Sequence, residues 1–335
     1  MSLDREFAFI IGAPRSGTTW LQAMMGAHPE LCTTGELKLF DFFTGPWAEA
    51  WRTLEALDET DPSRKHGLTM YWSRPQFYAF MREFLDRVYA IVVQQNPRAR
   101  LILDKTPAYA NHVDHILELL PQARFIHLIR DGRDVAASMN AASRGWARLW
   151  APAEVGKAAA LWKSFVLSAR KAARHEGRYL EVRYEELLAR GAAVLQTVFA
   201  FVGLPIDGAQ AARIVESYRF DKMKAEGSAG RVGRLPEGFL REGRAGSWRD
   251  GFSPMDRYVF NEVAGDLLCA LGYAEPGWWS ESAYERLSTP VKAVLADRRR
   301  RSATVRRVAK TLLRPLFPGR SGVEPAHPGQ VVQGR

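Results

Sequence analysis

The stretch Phe7-Ala-Phe-Ile-Ile-Gly-Ala-Pro-Arg-Ser-Gly-Thr-Thr-Trp20 constrains what this chain can fold into more than any other. Its first five residues are all apolar, the pattern of a strand buried on both faces in a parallel sheet. Gly12 ends that run, and Thr18 opens a stretch of helical character that closes near His28-Pro29. A strand that turns through glycines into a helix head makes a cradle for phosphate. Gly12 and Gly17 permit the tight turn and close backbone approach, and several N–H groups can point inward. The helix N-terminus adds roughly half a positive charge. Thr18 and Thr19 supply hydroxyls, and Arg15 supplies a permanent charge on a bidentate fork.

The rest of the chain extends this start into an α/β pattern. Arg100–Asp104, Arg124–Ile129 and Tyr179–Tyr184 read as further strands, each followed by helical sequence: 112–120, 131–142 and 192–203. Alternating strands and helices imply a P-loop-like three-layer sandwich, with a central parallel sheet flanked by helices. Amphipathic stretches at 38–57 and 75–95 lie between the first two strands. Their aromatic and aliphatic positions (Phe77, Phe80, Met81, Phe84, Val88, Ile91) are expected in the core. The glycine-rich segment 227–246 lacks apolar periodicity and reads as an irregular, functional loop. Ser253-Pro254 starts a last core helix. One large domain over residues 1–290, followed by a tail over 291–335, accounts for these features.

The formal net charge is +10, but its location matters more than its size. Ten Lys or Arg against one acid, Glu324, lie between Arg298 and Arg335, which leaves the rest of the chain near neutral. A nucleic-acid partner is therefore not expected. In the tail, Val305, Val308, Leu312 and Leu316 oppose Arg306, Arg307, Lys310 and Arg314. This pattern fits peripheral contact with an anionic membrane, and equally a terminal helix packed on the domain. Two cysteines, Cys32 and Cys269, give no disulfide framework and no metal-ligand spacing, so no metal is expected. The acidic start of the chain, and apolar runs far short of the roughly 20 residues of a membrane span, lead to an expected cytoplasmic location. Nothing in the sequence excludes an oligomer.

The loop invites comparison with the nucleoside-triphosphate motif G-x-x-x-x-G-K-[ST]. The two glycines match, but Thr18 stands at the lysine position and the basic residue has moved into the loop as Arg15. Pro-Arg-Ser-Gly-Thr-Thr-Trp resembles the 5′-phosphosulfate loop of the sulfotransferases that use 3′-phosphoadenosine-5′-phosphosulfate (PAPS). Further segments carry the same resemblance. Arg130 and, eight residues on, Ser138 match the pair that holds the donor's 3′-phosphate. Tyr218-Arg-Phe-Asp-Lys-Met-Lys224 resembles the stretch whose Phe packs on adenine, which implies that Phe220 and Trp20 sandwich the base. Arg241-Glu-Gly-Arg-Ala-Gly-Ser-Trp248 resembles the element that closes over the 3′-phosphate, carrying over Arg241 and Gly243. Glu242 replaces the usual lysine, with Arg244 as the expected compensation. Tyr184 occupies an adenine-contacting position. Gly132 stands where many members have proline, and Arg133 with Asp134 reads as a structural ion pair or cap.

The resemblance also implies a division of catalytic labour. Arg15 and Lys105, the latter in Asp-Lys-Thr-Pro-Ala-Tyr109, would neutralise charge on the leaving oxygen. Glu36, in Gly-Glu-Leu-Lys-Leu-Phe-Asp-Phe-Phe43, would be the general base, with Lys38 orienting acceptor or donor. Asp41, His112 or a water-mediated route are the alternatives. The implied acceptor is a small molecule, glycan or lipid. A P-loop nucleotide kinase and a non-catalytic binder of adenosine 3′,5′-bisphosphate (PAP) are the rival readings.

Overall fold

A computed structural model describes residues 2–61, 63–295 and 297. The expected basic tail helix, with Val305 to Leu316, lies outside the described residues. The chain divides into two units, Met1–Trp279 and Ser280–Arg335. All that follows concerns the first unit.

In chain order the elements are β1 (Glu6–Ile11), α1 (Thr18–Met25), β2 (Leu31–Thr33), α2 (Leu39–Phe42), α3 (Thr44–Thr60), α4 (Arg74–Gln94) and β3 (Leu101–Lys105). Then come α5 (Val113–Leu119), β4 (Arg124–Ile129), α6 (Gly132–Ser143), α7 (Val155–Arg170), β5 (Tyr179–Arg183) and α8 (Tyr184–Phe201). Four helices complete the unit: α9 (Gly208–Ser217), α10 (Phe220–Glu226), α11 (Trp248–Gly251) and α12 (Pro254–Ala270). The five strands form one parallel sheet in the order β2-β3-β1-β4-β5.

The strands are apolar throughout because both faces of the sheet are covered. Along β1, Phe7, Phe9 and Ile11 point to one layer, with Leu85 of α4, Val135 of α6, Trp162 of α7 and Phe260 of α12. Ala8 and Ile10 point to the other layer, with Leu21 and Met24 of α1 and Val198 and Phe199 of α8. This is the expected three-layer sandwich. Ser253 caps α12 by accepting from the Asp256 N–H, and Pro254 opens the helix.

Three details depart from the sequence reading. Strand β2 is absent from that reading, because three residues on a sheet edge leave no periodic trace. Helix α8 starts at Tyr184, well before residue 192. Its two limbs meet at Arg190, which leaves helical geometry, so the expected helix is only the second limb. On α4, Phe77 and Met81 are buried as expected, but Phe80 is 42% and Ile91 62% exposed, outside the core.

Candidate active site

Every strand but β2 delivers a candidate residue at or just beyond its C-terminal end, and β2 delivers Glu36 three residues on. Glu36 and Lys105 lie at the ends of β2 and β3, the Gly12 loop beyond β1, Arg130 beyond β4, and Tyr184 beyond β5. The candidates therefore stand in a row along one edge of the sheet, where ligands bind in open α/β folds.

The loop has the geometry its glycines require. Gly12 has φ +142°, and a Cβ there would lie 2.5 Å from the Leu128 carbonyl oxygen of the adjacent strand. At Gly17 (φ +95°) a Cβ would meet the Tyr184 ring at 2.6 Å. Arg15 holds φ +74° without being glycine, a strained position of the kind that collects at functional sites. No side chain caps α1, so its first N–H groups stay open to a ligand. Thr18 and Thr19 are buried beside them, and the buried Ser16 hydroxyl has no hydrogen-bond partner.

Arg15 donates from Nε to Ser138 Oγ (3.1 Å) and from Nη2 to the Phe239 carbonyl (2.6 Å). Its guanidinium lies over the rings of Phe239 and Trp146, at 4.5 and 5.1 Å. Burial, then the neighbouring charges of Arg130 and Arg241, push its pKa down to about 10. Arg130 lies over the Tyr184 ring at 4.3 Å and donates to the carbonyls of Arg15 (3.4 Å) and Arg244 (3.0 Å). Its buried Nε has no partner. Three guanidiniums thus crowd together, an arrangement that an anion would relieve.

These side chains line one cleft. Arg15, Gly17, Thr18, Thr19, Trp20, Arg130, Ser138, Tyr184, Phe220, Arg241 and Gly243 all border it. Trp20 is fixed by its indole N–H, which donates to the Tyr218 carbonyl at 2.7 Å. Phe220 lies against Gly243 so closely that a Cβ there would come within 2.3 Å of the ring. Phe239, Leu240, Glu242 and Ser247 complete the lining, and of these the sequence reading singles out only Glu242. Leu240 and Glu242 flank Arg241, so adjacency to a marked residue is the available signal.

Two readings of this region need correction. Arg133 pairs with Asp131 (2.7 Å), not with Asp134, and also donates to the Tyr273 carbonyl (2.6 Å). Asp134 instead accepts from the Gly246 N–H (2.8 Å), the Ser247 hydroxyl (3.0 Å) and the Trp248 N–H (2.9 Å). It ties the 241–252 stretch to α6. Nor does Arg244 compensate for Glu242: it is bound to Glu242 and Asp250, and it does not line the cleft. At Gly132 a Cβ would lie 2.5 Å from the Trp162 ring, so this chain has no room for the proline of other members.

Glu36 and Lys105 form a separate pair with O–N 2.6 Å; they are not among the residues lining the cleft. Lys105 is buried and Glu36 exposed. Below them the fully buried Asp104 accepts from the Tyr89 hydroxyl (2.9 Å), and burial raises its pKa to about 7. The segment carrying Glu36 is docked onto the turn after β3. The Leu39 N–H donates to the Tyr109 hydroxyl (2.7 Å), and Asp41 faces His112 at 3.0 Å. Lys38 points its ammonium toward the Phe42 ring, 5.9 Å away.

A model described as "Sulfotransferase family" matches residues 8–208, well over half of the chain. The chain belongs to the sulfotransferase family. Its relatives include protein-tyrosine sulfotransferase 1 of Danio rerio, 30% identical over 139 residues (41% of this chain, 36% of that protein). The nodulation protein NoeE of Sinorhizobium fredii is 26% identical over 295 residues (80% of this chain, 66% of NoeE). The chain thus spans less than half the length of the tyrosine sulfotransferases it matches. Among solved structures, the sulfotransferase domain of the Synechococcus PCC 7002 olefin synthase has TM-score 0.52 at 24% identity, over 81% of this chain and 95% of that one. Mouse sulfotransferase SULT7A1 complexed with PAP has TM-score 0.51 at 18% identity, over 81% and 90%. These two likenesses carry the fold. Among the described residues, no helix is long and apolar enough to cross a membrane.

Proposed function

We propose that this chain transfers a sulfuryl group from PAPS to a hydroxyl of a glycan, glycolipid or secondary metabolite. The observation that carries the reading is the cleft in which three guanidiniums, an uncapped helix N-terminus and the rings of Trp20, Tyr184 and Phe220 meet. The residues fit the donor: Ser16 Oγ and Arg130 Nε are buried polar atoms still lacking partners. In this reading Arg15 to Thr19 hold the 5′-phosphosulfate, and Arg130, Ser138 and Arg241 hold the 3′-phosphate. Trp20, Tyr184 and Phe220 enclose the base, and the Gly243 amide borders the same pocket.

The bound donor supplies an activated sulfuryl group. Glu36 takes the proton of the acceptor hydroxyl as its oxygen bonds to sulfur. The sulfur–oxygen bond to the 5′-phosphate breaks, and Lys105 and Arg15 offset the charge that collects on the departing oxygen. Arg15 is directed to Ser138 and Phe239, and Lys105 to Glu36, so both cations must turn toward the donor for this step. The reading puts the protein in the cytoplasm, with segment 298–335 as the candidate contact to a membrane surface.

Thermal stabilisation tests the donor assignment. PAP at a hundredfold excess over its Kd should add about 2.7 kcal/mol, with ATP–Mg²⁺ adding far less. Stabilisation by ATP–Mg²⁺ alone would overturn the assignment in favour of a kinase. PAP binding without transfer of labelled sulfate to any acceptor would leave a binding protein.

A further inference from the structure

The row of candidate residues ends, on the β2 side, against the helices that connect β2 to β3. Their outer face carries unusual chemistry. Phe42 is 65% exposed, Tyr71 77%, Phe43 and Phe80 each 42%, and Trp72 37%. Soluble chains scatter exposed aromatics singly; a contiguous group marks a surface that something covers.

Phe43, Phe80 and Trp72 are joined by ring contact through Trp47, and Phe42 and Tyr71 are their neighbours in sequence. Phe43 meets Trp47 at 6.1 Å between centroids, Trp47 meets Phe80 at 5.8 Å, and Phe80 meets Trp72 at 5.6 Å. Its near end adjoins the candidate base. Glu36 opens the segment 36–43, which is pinned by contacts to Lys105, Tyr109 and His112. Exposed Phe42 and Phe43 close that same pinned segment.

Charge narrows the occupant. Residues 36–80 hold five Lys or Arg and seven Asp or Glu, so this stretch has no basic excess with which to grip a sulfated or phosphorylated polymer or an anionic bilayer. Exposed rings in a stretch with no net positive charge, Lys38 beside Phe42 included, suit an uncharged, apolar body.

Resting on the transferase reading above, we propose that the acceptor is a neutral amphiphile. It presents its hydroxyl at Glu36 and lays an alkyl or aryl body along the ridge Phe42–Phe43–Phe80–Trp72. Free sugars and polyanionic glycans lack the part this ridge would hold.

The test uses the full chain saturated with PAP and a series of alkyl β-glucosides, methyl to octyl, kept below micelle formation. Binding is read by tryptophan fluorescence, with labelled-sulfate transfer from PAPS followed in parallel. Each methylene buried on the ridge should tighten binding by about fourfold, and at least a tenfold gain is expected from methyl to hexyl. Phe42→Ser and Phe80→Ser, made separately so that one folded variant suffices, should flatten that gain at least threefold while leaving PAP affinity unchanged. A Kd independent of chain length, or an equal gain in wild type and both variants, overturns the proposal. So does loss of self-association, or of binding to phosphatidylcholine vesicles, in the variants with the alkyl preference intact; the ridge would then belong to a second copy or to a bilayer. Failure of PAP to bind at all is a different result, since it removes the donor reading itself.

Discussion

Arg130→Met isolates what the crowded guanidiniums do. In the native cleft Arg130 gives two hydrogen bonds to backbone carbonyls and keeps its Nε free within the site. A charge-assisted hydrogen bond to a phosphate contributes about 1.5–3 kcal/mol, so PAP affinity should fall about 10- to 150-fold. AMP lacks the 3′-phosphate and should lose little. Folding should survive, because Asp134, 3.6 Å from Arg130, keeps three other donors: the Gly246 and Trp248 N–H groups and the Ser247 hydroxyl. The two lost carbonyl contacts amount to about 2 kcal/mol of stability. Isothermal titration of PAP and AMP against both proteins gives the ratio that matters. If PAP and AMP weaken equally, Arg130 does not read the 3′-phosphate and the proposed orientation of the donor is wrong.

Three further expectations concern neighbouring residues. Glu36→Gln should lower sulfate transfer by about 10²–10⁴-fold with PAP affinity unchanged, and near-normal turnover would dismiss Glu36 as the base. Gly243→Ala drives a Cβ to within 2.3 Å of Phe220 at φ +64°, so PAP binding should weaken by about 1–3 kcal/mol as the stacking ring is displaced. Gly238→Ala, also at positive φ but with no atom within 4 Å of the new Cβ, is the control that should retain affinity. Asp104, raised by burial to about 7, holds a proton in the folded chain that the unfolded chain releases near ~3.9. Its contribution to stability is therefore full below about pH 4 and is lost as pH rises through 7. Denaturant melts between pH 4.5 and 7.5 should show wild type declining relative to Asp104→Asn by up to about 1.4 kcal/mol per pH unit; a constant difference refutes the assignment.

The central strands and the loop are legible in the sequence because their signals are local. A wholly apolar run closed by Gly12 can be little other than a buried strand entering a turn, and Arg124–Ile129 is delimited to the residue. The donor side is legible for a related reason: each of its residues sits in a short motif at the end of a strand or near the glycine-rich loop. What escapes is set by tertiary approach. No spacing announces that Arg133 turns back to Asp131, or that Asp134 gathers three donors from residues more than a hundred positions on. Trp146, stacked against Arg15, lies in a stretch without a motif. The exposure of Phe80 is hidden because helical periodicity shows which residues share a face, and not whether that face is covered.

The order β2-β3-β1-β4-β5 has a consequence for how such a protein can change. Residues 34–100 leave the sheet at its edge strand and return to that strand's single neighbour, so they form a cassette inserted at one side. The donor cleft draws its residues from beyond the ends of β1, β4 and β5, on the other side of β3, and from α1, α6, α10 and 239–247, all outside the cassette. A relative could exchange the cassette and acquire a new acceptor while its nucleotide grip stayed as it was. Transplanting segment 34–100 between two such enzymes is thus a natural unit of redesign. Its joints include the Glu36–Lys105 and Asp41–His112 pairs, the Leu39–Tyr109 and Tyr89–Asp104 hydrogen bonds, and the rings of Phe40 and Tyr89 where they meet Phe9 and Phe7 of β1.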